Sequence, residues 1–298
     1  MVAPVIEMKW MILGGGGQLG RALSSQLKKD NIKFITLNRA QLDITSRSDV
    51  QKWFAREVPN VVVNAAAWTN VDLAESEEES ALLVNALGPK LLAEESARIG
   101  AKFVQLSTDY VFSGESTTPW DESAELSPVS AYGRTKAQGE RFVLDSYKSG
   151  SFIVRTAWLY SPWGKNFVKT VAMVAGSQTR NIEVVNDQIG QPTSAMDLAQ
   201  QILRLINSDA SPGIFHGTNS GQVTWFELAR FVFELLGEDQ GRVIPVHSSH
   251  FPRPARRPNY SVLGHDGWNA KDLLPMRNWQ VALEDTLPLI LQVTRQGE

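Results

Sequence analysis

Tyr132 and Lys136 stand four positions apart in SAYGRTKAQGE, residues 130–140. On a helix they share a face, one turn apart. A phenol beside an ammonium is a proton donor whose pKa can be drawn down from about 10, because the cation favours the phenolate. The same spacing occurs on wet helix faces that do no chemistry, so the pair alone leaves both readings open. A second stretch with chemical content is LGGGGQLGRAL, residues 13–23. Gly15, Gly17 and Gly20 match G-x-G-x-x-G, while Gly14, Gly17 and Gly20 match G-x-x-G-x-x-G. Either set permits a tight turn and a close approach of backbone to a pyrophosphate, whose charge meets a helix N-terminus. No Gly-Lys-Ser/Thr follows, which disfavours a P-loop.

These residues need strands and helices to aim them. KWMIL (9–13) reads as a buried strand, and QLGRALSSQLKKD as the helix after it. KFITL (33–37), NVVVNAAA (60–67), AKFVQLST (101–108) and FIVRTAWLY (152–160) read as further strands. Helical patterns separate them: SRSDVQKWFAREV, with Thr45 or Ser46 as N-cap, then SEEESALLVNALGPKLLAEESARIG, then the stretch carrying Tyr132. Apolar runs that do not alternate, separated by helices, predict a parallel sheet buried on both faces, a doubly wound α/β fold of Rossmann type. A strand, a glycine turn and a helix in sequence mark the first unit as nucleotide-binding. The second strand ends in Asn38 and Arg39 rather than in the acid that would take a ribose 2′-hydroxyl. Arg39 is either a receptor for a 2′-phosphate or a solvated loop residue. Asp43 comes later and is better placed for the adenine edge.

The second half is less regular and predicts a smaller, interrupted lobe over the carboxyl edge of the sheet. The division expected is 1–160 for the dinucleotide and 161–298 mainly for a substrate, with some segments returning to the first domain. A helix starts near Thr224, and a terminal helix carries an internal proline. HSSHFPRPARRPNY (247–260) is proline-rich and basic, most simply a surface loop. His247 and His250 lack an acidic partner at helical spacing and read as solvated rather than as metal ligands.

Composition narrows the function. The chain has 298 residues, 20% charged, and a net charge of -3, so no basic excess points to nucleic acid or to an anionic membrane. It has no cysteine, which removes thiolate catalysis and zinc-thiolate sites and fits a cytoplasmic, reducing setting. The leader MVAPVIEMKWMIL is too short and too interrupted for a signal or a membrane span.

Taken in order, GGGGQLG, LDIT, VNAAAWTNVDLAE, STDYVFSG, YGRTK, VRTAWLYSPWGKNFV and NDQIGQPT resemble the dTDP-4-dehydrorhamnose reductases, a family of extended short-chain dehydrogenase/reductases. FPRPARRPNYSVLG (251–264) extends the resemblance over nearly the whole chain. The resemblance implies reduction of the C4 ketone of a dTDP-4-keto-6-deoxyhexose by NADPH, with NADH as the alternative. It implies that Tyr132 donates the proton, that Lys136 holds the nicotinamide ribose and tunes the tyrosine, and that Thr108 hydrogen-bonds the same carbonyl oxygen. By the same resemblance Gly17, Gln18 and Leu19 touch the pyrophosphate, and Asp43 and Ile44 lie at the adenine. Ala66, Ala67 and Thr69 line the cofactor, while Asp109, Tyr110 and Trp158 face the sugar nucleotide. Trp158 also reads as a plain core aromatic.

Some members of that family bind Mg²⁺ through glutamates at a dimer interface. No positions here match those glutamates, so metal and homodimer both stay open. Arg253, Arg256 and Arg257 are either contacts for the substrate diphosphate or an exposed basic loop. Two other classes share the fold. Dehydratases and epimerases recycle NAD, but the related dehydratases follow the threonine with Asp-Glu, whereas here Asp109 is followed by Tyr110. A non-catalytic regulatory subunit has no need of Thr108, Tyr132 and Lys136 together.

Overall fold

The computed structural model describes residues 8–177, 179–269 and 273–296. The chain begins as strand and helix in alternation: β1 (Trp10–Leu13), α1 (Gln18–Lys29), β2 (Phe34–Leu37), α2 (Arg47–Glu57) and β3 (Val61–Asn64). Every residue of β1 and β3 is buried, which is why these strands show no alternation. Of the two N-cap candidates for α2, Ser46 takes the role and accepts the Asp49 amide, while Thr45 bonds to Asp43.

The long helix expected after β3 is interrupted. It runs as α3 (Glu78–Leu82), a π-helical turn (Leu83–Leu87) and α4 (Gly88–Ile99). The wider turn holds Asn85, 1% exposed, with its side chain on neighbouring segments rather than in solvent. Single π turns of this kind gather at functional sites. Next come β4 (Lys102–Thr108), α5 (Ala131–Tyr147) and β5 (Ser151–Thr156). Ser130 caps α5 by accepting the Gly133 amide at 3.2 Å. A Cβ at Gly133 would lie 2.2 Å from the Tyr110 carbonyl, so only glycine lets α5 come this close to the end of β4.

The strand expected over 152–160 stops at Thr156 and resumes as β6 (Leu159–Tyr160). The break is at Trp158, whose φ of 43° is left-handed and cannot continue a strand. The remaining elements are α6 (Phe167–Ala175), β7 (Ile182–Val185), β8 (Ile189–Gly190), β9 (Thr193–Ser194), α7 (Ala195–Asn207), β10 (Gly213–His216), β11 (Val223–Thr224), α8 (Trp225–Leu235), β12 (Val243–Val246), α9 (Asp266–Asn269) and α10 (Trp279–Arg295). Thr224 and Glu227 form a reciprocal capping box at the start of α8.

The main sheet has six parallel strands in the order β10-β5-β4-β3-β1-β2. Two apolar cores cover its faces, one under α1 and α7 and one under α2, α4 and α5. A third core, built from α6, α8, α10 and the short strands between them, belongs to the second lobe. The C-terminal half thus feeds both bodies: β10 completes the sheet with α7 and α9 packed against it, while α6, α8 and α10 build the second lobe.

Candidate active site

A cleft of about 880 Å³ opens at the carboxyl ends of the strands, where the order reverses between β1 and β3. Its cofactor-side wall is made largely of backbone. Gly14 has a φ of +78°, and a Cβ there would lie 2.6 Å from the Ala66 amide nitrogen. Gly17 is the N-cap of α1 with no side-chain cap, so the helix presents its first amides to the cleft. Gly20 lies beneath, outside the lining, where a Cβ would stand 2.4 Å from the Gly14 carbonyl. A bare helix N-terminus behind a collapsed glycine turn fits a pyrophosphate, with charge and amides in the right place.

The structure places Leu19, Arg39, Asp43, Ile44, Ala66, Ala67 and Thr69 on the same wall. Asp43 is held below the usual carboxylate range by hydrogen bonds from the Thr45 amide and hydroxyl, at 2.9 and 2.8 Å, with a smaller contribution from Arg39. Arg39 is exposed on the rim, and its guanidinium makes no hydrogen bond among the described residues. Gln18 lines the same wall. Its side chain receives hydrogen bonds from Ser161 and Asn166 and donates to the Leu159 carbonyl, which leaves only its amide for a phosphate.

The chemistry-bearing residues meet where α5 crosses the end of β4. The Tyr132 phenol faces the Thr108 hydroxyl, which favours its ionised form. Thr108 in turn donates to Asp109 Oδ1 at 2.9 Å. Lys136 Nζ donates to the Leu106 carbonyl at 2.5 Å. The lysine therefore reaches β4, and the expected depression of the tyrosine's pKa by its charge is absent. Burial instead pushes Tyr132 up to about 12, opposed by the Thr108 hydroxyl. Burial pushes Lys136 down to about 8, opposed by the Glu140 carboxylate. Asp109 is 2% exposed, and its desolvated carboxyl is raised to about 6. Tyr110 packs edge-on against Tyr132, ring centroids 5.7 Å apart, and burial raises its phenol.

At the far end Trp158 lies flat on Trp225 of α8, centroids 3.5 Å apart and planes 11° from parallel. Trp158 is thus a cleft residue and not a plain core aromatic. Trp225 and Lys165 also line the cleft; Trp225 lies outside every motif quoted above, and Lys165, within VRTAWLYSPWGKNFV, carries no signal of its own that separates it from its neighbours. Asn85 was missed as well. It accepts the Trp68 amide at 2.9 Å, and donates to the Trp68 carbonyl at 3.2 Å and to Thr135 at 3.1 Å. Thr135 donates to the Tyr132 carbonyl, so the π turn ties the wall at Ala66–Thr69 to α5. The only signal was a polar residue inside the apolar run LLVNAL.

The basic loop is tied down. Arg257 and Arg253 pair with Asp72 at 3.0 and 3.6 Å, and Arg256 pairs with Glu115 at 3.1 Å. His247 and His250 do have acidic partners, Asp187 at 3.1 Å and Glu183 at 3.2 Å, brought from some sixty residues away. Among the described residues no group of three or more His, Cys, Asp or Glu side chains is placed to hold a metal ion. No described helix is long and apolar enough to cross a membrane.

Comparison with known proteins agrees with this geometry. Residues 8–291 match the family model for the RmlD substrate binding domain. A dTDP-4-keto-6-deoxy-D-glucose reductase of Streptomyces niveus is 47% identical, over 95% of this chain and 97% of its own. A dTDP-4-dehydrorhamnose reductase of Streptomyces griseus is 43% identical, over 97% of this chain and 96% of its own. The crystal structure of dTDP-4-dehydrorhamnose reductase from Bacillus anthracis in complex with NADP superposes with a TM-score of 0.91 at 36% identity, covering 95% of this chain and 99% of that one.

Proposed function

The chain belongs to the RmlD family of dTDP-4-dehydrorhamnose reductases, and on that premise we propose that it reduces the C4 ketone of a dTDP-linked 4-keto-6-deoxyhexose with a nicotinamide cofactor. The observation that carries this reading is the meeting of Tyr132, Thr108 and Lys136 between the glycine turn and the tryptophan pair. The amides at the start of α1 would hold the pyrophosphate, and Lys136 the nicotinamide ribose. Bound there, the cofactor supplies hydride to the carbonyl carbon.

The chain's own part is proton and charge. Tyr132 stays protonated at neutral pH because burial holds its pKa near 12. Its hydroxyl gives that proton to the C4 oxygen as negative charge grows there. The Thr108 hydroxyl, turned from Asp109 Oδ1 to the same oxygen, would be a second donor to the developing alkoxide. Lys136, its ammonium on the Leu106 carbonyl of β4, acts through the cofactor ribose rather than on the tyrosine. Trp158 supplies an apolar wall for the deoxysugar, and Asp109 and Tyr110 face its polar side.

We read the preferred cofactor as NADPH, because an exposed cation, Arg39, ends the second strand in place of an acid. We read the sugar as 4-dehydro-β-L-rhamnose. A reductase for another dTDP-6-deoxyhexose is the second reading, favoured by the name of the Streptomyces niveus relative. We assign 1–160 to the cofactor and 161–298 mainly to the sugar nucleotide. We place the enzyme in the cytoplasm, a setting that a chain without cysteine fits.

Tyr132→Phe tests the mechanism, since it removes one hydroxyl and keeps the ring. We expect kcat to fall about 10²- to 10⁴-fold with cofactor affinity little changed. Near-normal kcat with chemistry rate-limiting would make Tyr132 a bystander. Turnover of dTDP-, UDP- and GDP-4-keto sugars tests the nucleotide, and comparable rates with the GDP sugar would overturn it. NMR of the C4 configuration in the product separates the two sugar readings.

A further inference from the structure

Glu140 lies on α5 one turn beyond Lys136 and two beyond Tyr132, and the reaction proposed above does not use it. It is 2% exposed and fully engaged. Oε1 accepts from Ser107 Oγ at 2.5 Å and from Arg155 Nε at 3.0 Å, while Oε2 accepts from Arg155 Nη2 at 2.7 Å. Arg155, 1% exposed, also donates from Nη1 to the Glu122 carbonyl at 3.1 Å and to His216 Nε2 at 3.2 Å. The other ring nitrogen of His216 faces the Gly264 carbonyl at 2.9 Å, so Nδ1 carries the proton and the ring is neutral. Ser107 and Arg155 are register partners on β4 and β5, as are Thr108 and Thr156 one step further. The cluster therefore sits immediately beneath the strand ends that form the floor of the site.

A buried ion pair is a poor device for stability alone. Desolvation takes back most of the attraction, and an apolar pair of similar volume often serves as well. What a two-pronged arginine–carboxylate contact supplies is direction. Here it ties α5 to β4 through Ser107 and to β5 through Arg155. Those are the elements whose relative placement brings donors together, because α5 carries Tyr132 and Lys136 while β4 ends in Leu106, Ser107 and Thr108.

We propose that Glu140 is a positioning residue: with Arg155 and Ser107 it sets the roll and height of α5 against β4, so that Tyr132 meets Thr108 and Lys136 meets the Leu106 carbonyl. The same carboxylate keeps Lys136 charged against its burial. Around Glu140 stand Lys136 on its own helix, Ser107 from β4 and Arg155 from β5. Behind Arg155 are the neutral His216 of β10 and Glu122 of the loop before α5, whose carboxyl burial raises.

The inference rests on the roles given to Tyr132, Thr108 and Lys136, and the experiment separates the two. Wild type, Tyr132→Phe, Ser107→Ala and the double variant Glu140→Met with Arg155→Met are compared for Tm, for kcat, and for the pH profile of kcat/KM for the cofactor. The double variant removes both buried charges together and keeps apolar volume, so Tm should stay within a few degrees. Its kcat should fall about 10- to 100-fold, the scale of a misplacement of roughly 1 Å at a reacting centre. Its alkaline limb should move to lower pH, because Lys136 loses the charge that supports it. Ser107→Ala cuts only the tether to β4 and should lower kcat severalfold at unchanged Tm. A folded double variant with near-wild-type kcat overturns the inference. If the double variant fails to fold, unchanged kcat in Ser107→Ala overturns it. An active Tyr132→Phe sinks the reading of the site itself, whatever the other variants do.

Discussion

The two ends of the cleft are built by opposite means. At the cofactor end the working surface is backbone: the turn from Gly14 to Gly17, the open start of α1, and the small residues Ala66 and Ala67. These segments lie in the first 70 residues. At the sugar end the surface is side chain, and its pieces come from far apart: Tyr110 from the turn after β4, Trp158 from the break after β5, and Trp225 from the second lobe. Backbone amides present the same donors whatever the side chain, so a diphosphate can be held by one short motif. A deoxysugar offers ring faces and scattered hydroxyls, and recognising it takes shaped side chains from several elements. The difference teaches that the two ends should fail separately.

Gly20→Ala is the severest test of the backbone end. The added Cβ meets the Gly14 carbonyl at 2.4 Å, and no flexible side chain is there to yield. Overpacking of this kind costs about 1–3 kcal/mol, so kcat/KM for the cofactor should drop by up to about 10²-fold. KM for the sugar nucleotide should barely move. A proportional loss at both ends would mean the cleft is one cooperative unit.

Arg39→Ala sharpens the same end. A charge-assisted hydrogen bond is worth about 1.5–3 kcal/mol, so the NADPH to NADH preference should fall by at least about tenfold, with sugar kinetics unchanged. An unchanged ratio in steady-state assays with both cofactors removes Arg39 from the 2′-phosphate.

At the other end, Trp225→Ala removes the plane on which Trp158 rests. Aromatic pairing contributes about 0.5–1.5 kcal/mol, so KM for the sugar nucleotide should rise about three- to tenfold while KM for the cofactor holds. Loss of the near-ultraviolet circular dichroism of the stacked indoles should accompany it. A cofactor effect equal to the sugar effect would contradict the division.

The mildest expectation concerns the seam. Lys136 has its pKa drawn from 10.5 down to about 8 by burial. It is charged below that value and neutral above it, so kcat/KM for the cofactor should fall as pH rises through about 8. The loss should be about twofold at the midpoint, measured against neutral pH. A profile flat to pH 9.5 would show that the ammonium does not hold the cofactor.

Legibility in the sequence followed the same division. The glycine turn, the alternation of strand and helix, and the Tyr132–Lys136 spacing are local patterns, each set by sterics or helix pitch within a few residues. The sequence by itself therefore determined the parallel sheet, the glycine turn before α1 and the Tyr132–Lys136 spacing that the proposed proton chemistry uses. Motif order added Thr108, Asp109, Tyr110 and Trp158. Only the tertiary structure decided that Lys136 reaches the Leu106 carbonyl rather than the tyrosine, that Gln18 gives its side chain to Ser161 and Asn166, and that Trp225 stands behind Trp158. It alone joined Glu140 to Arg155 and Ser107, and Arg257 to Asp72. These contacts span from 15 to more than 180 residues or depend on how a helix rolls against a strand. No local period encodes such pairings, because they form only when packing of the apolar cores brings the segments together and every buried charge must then find its partner.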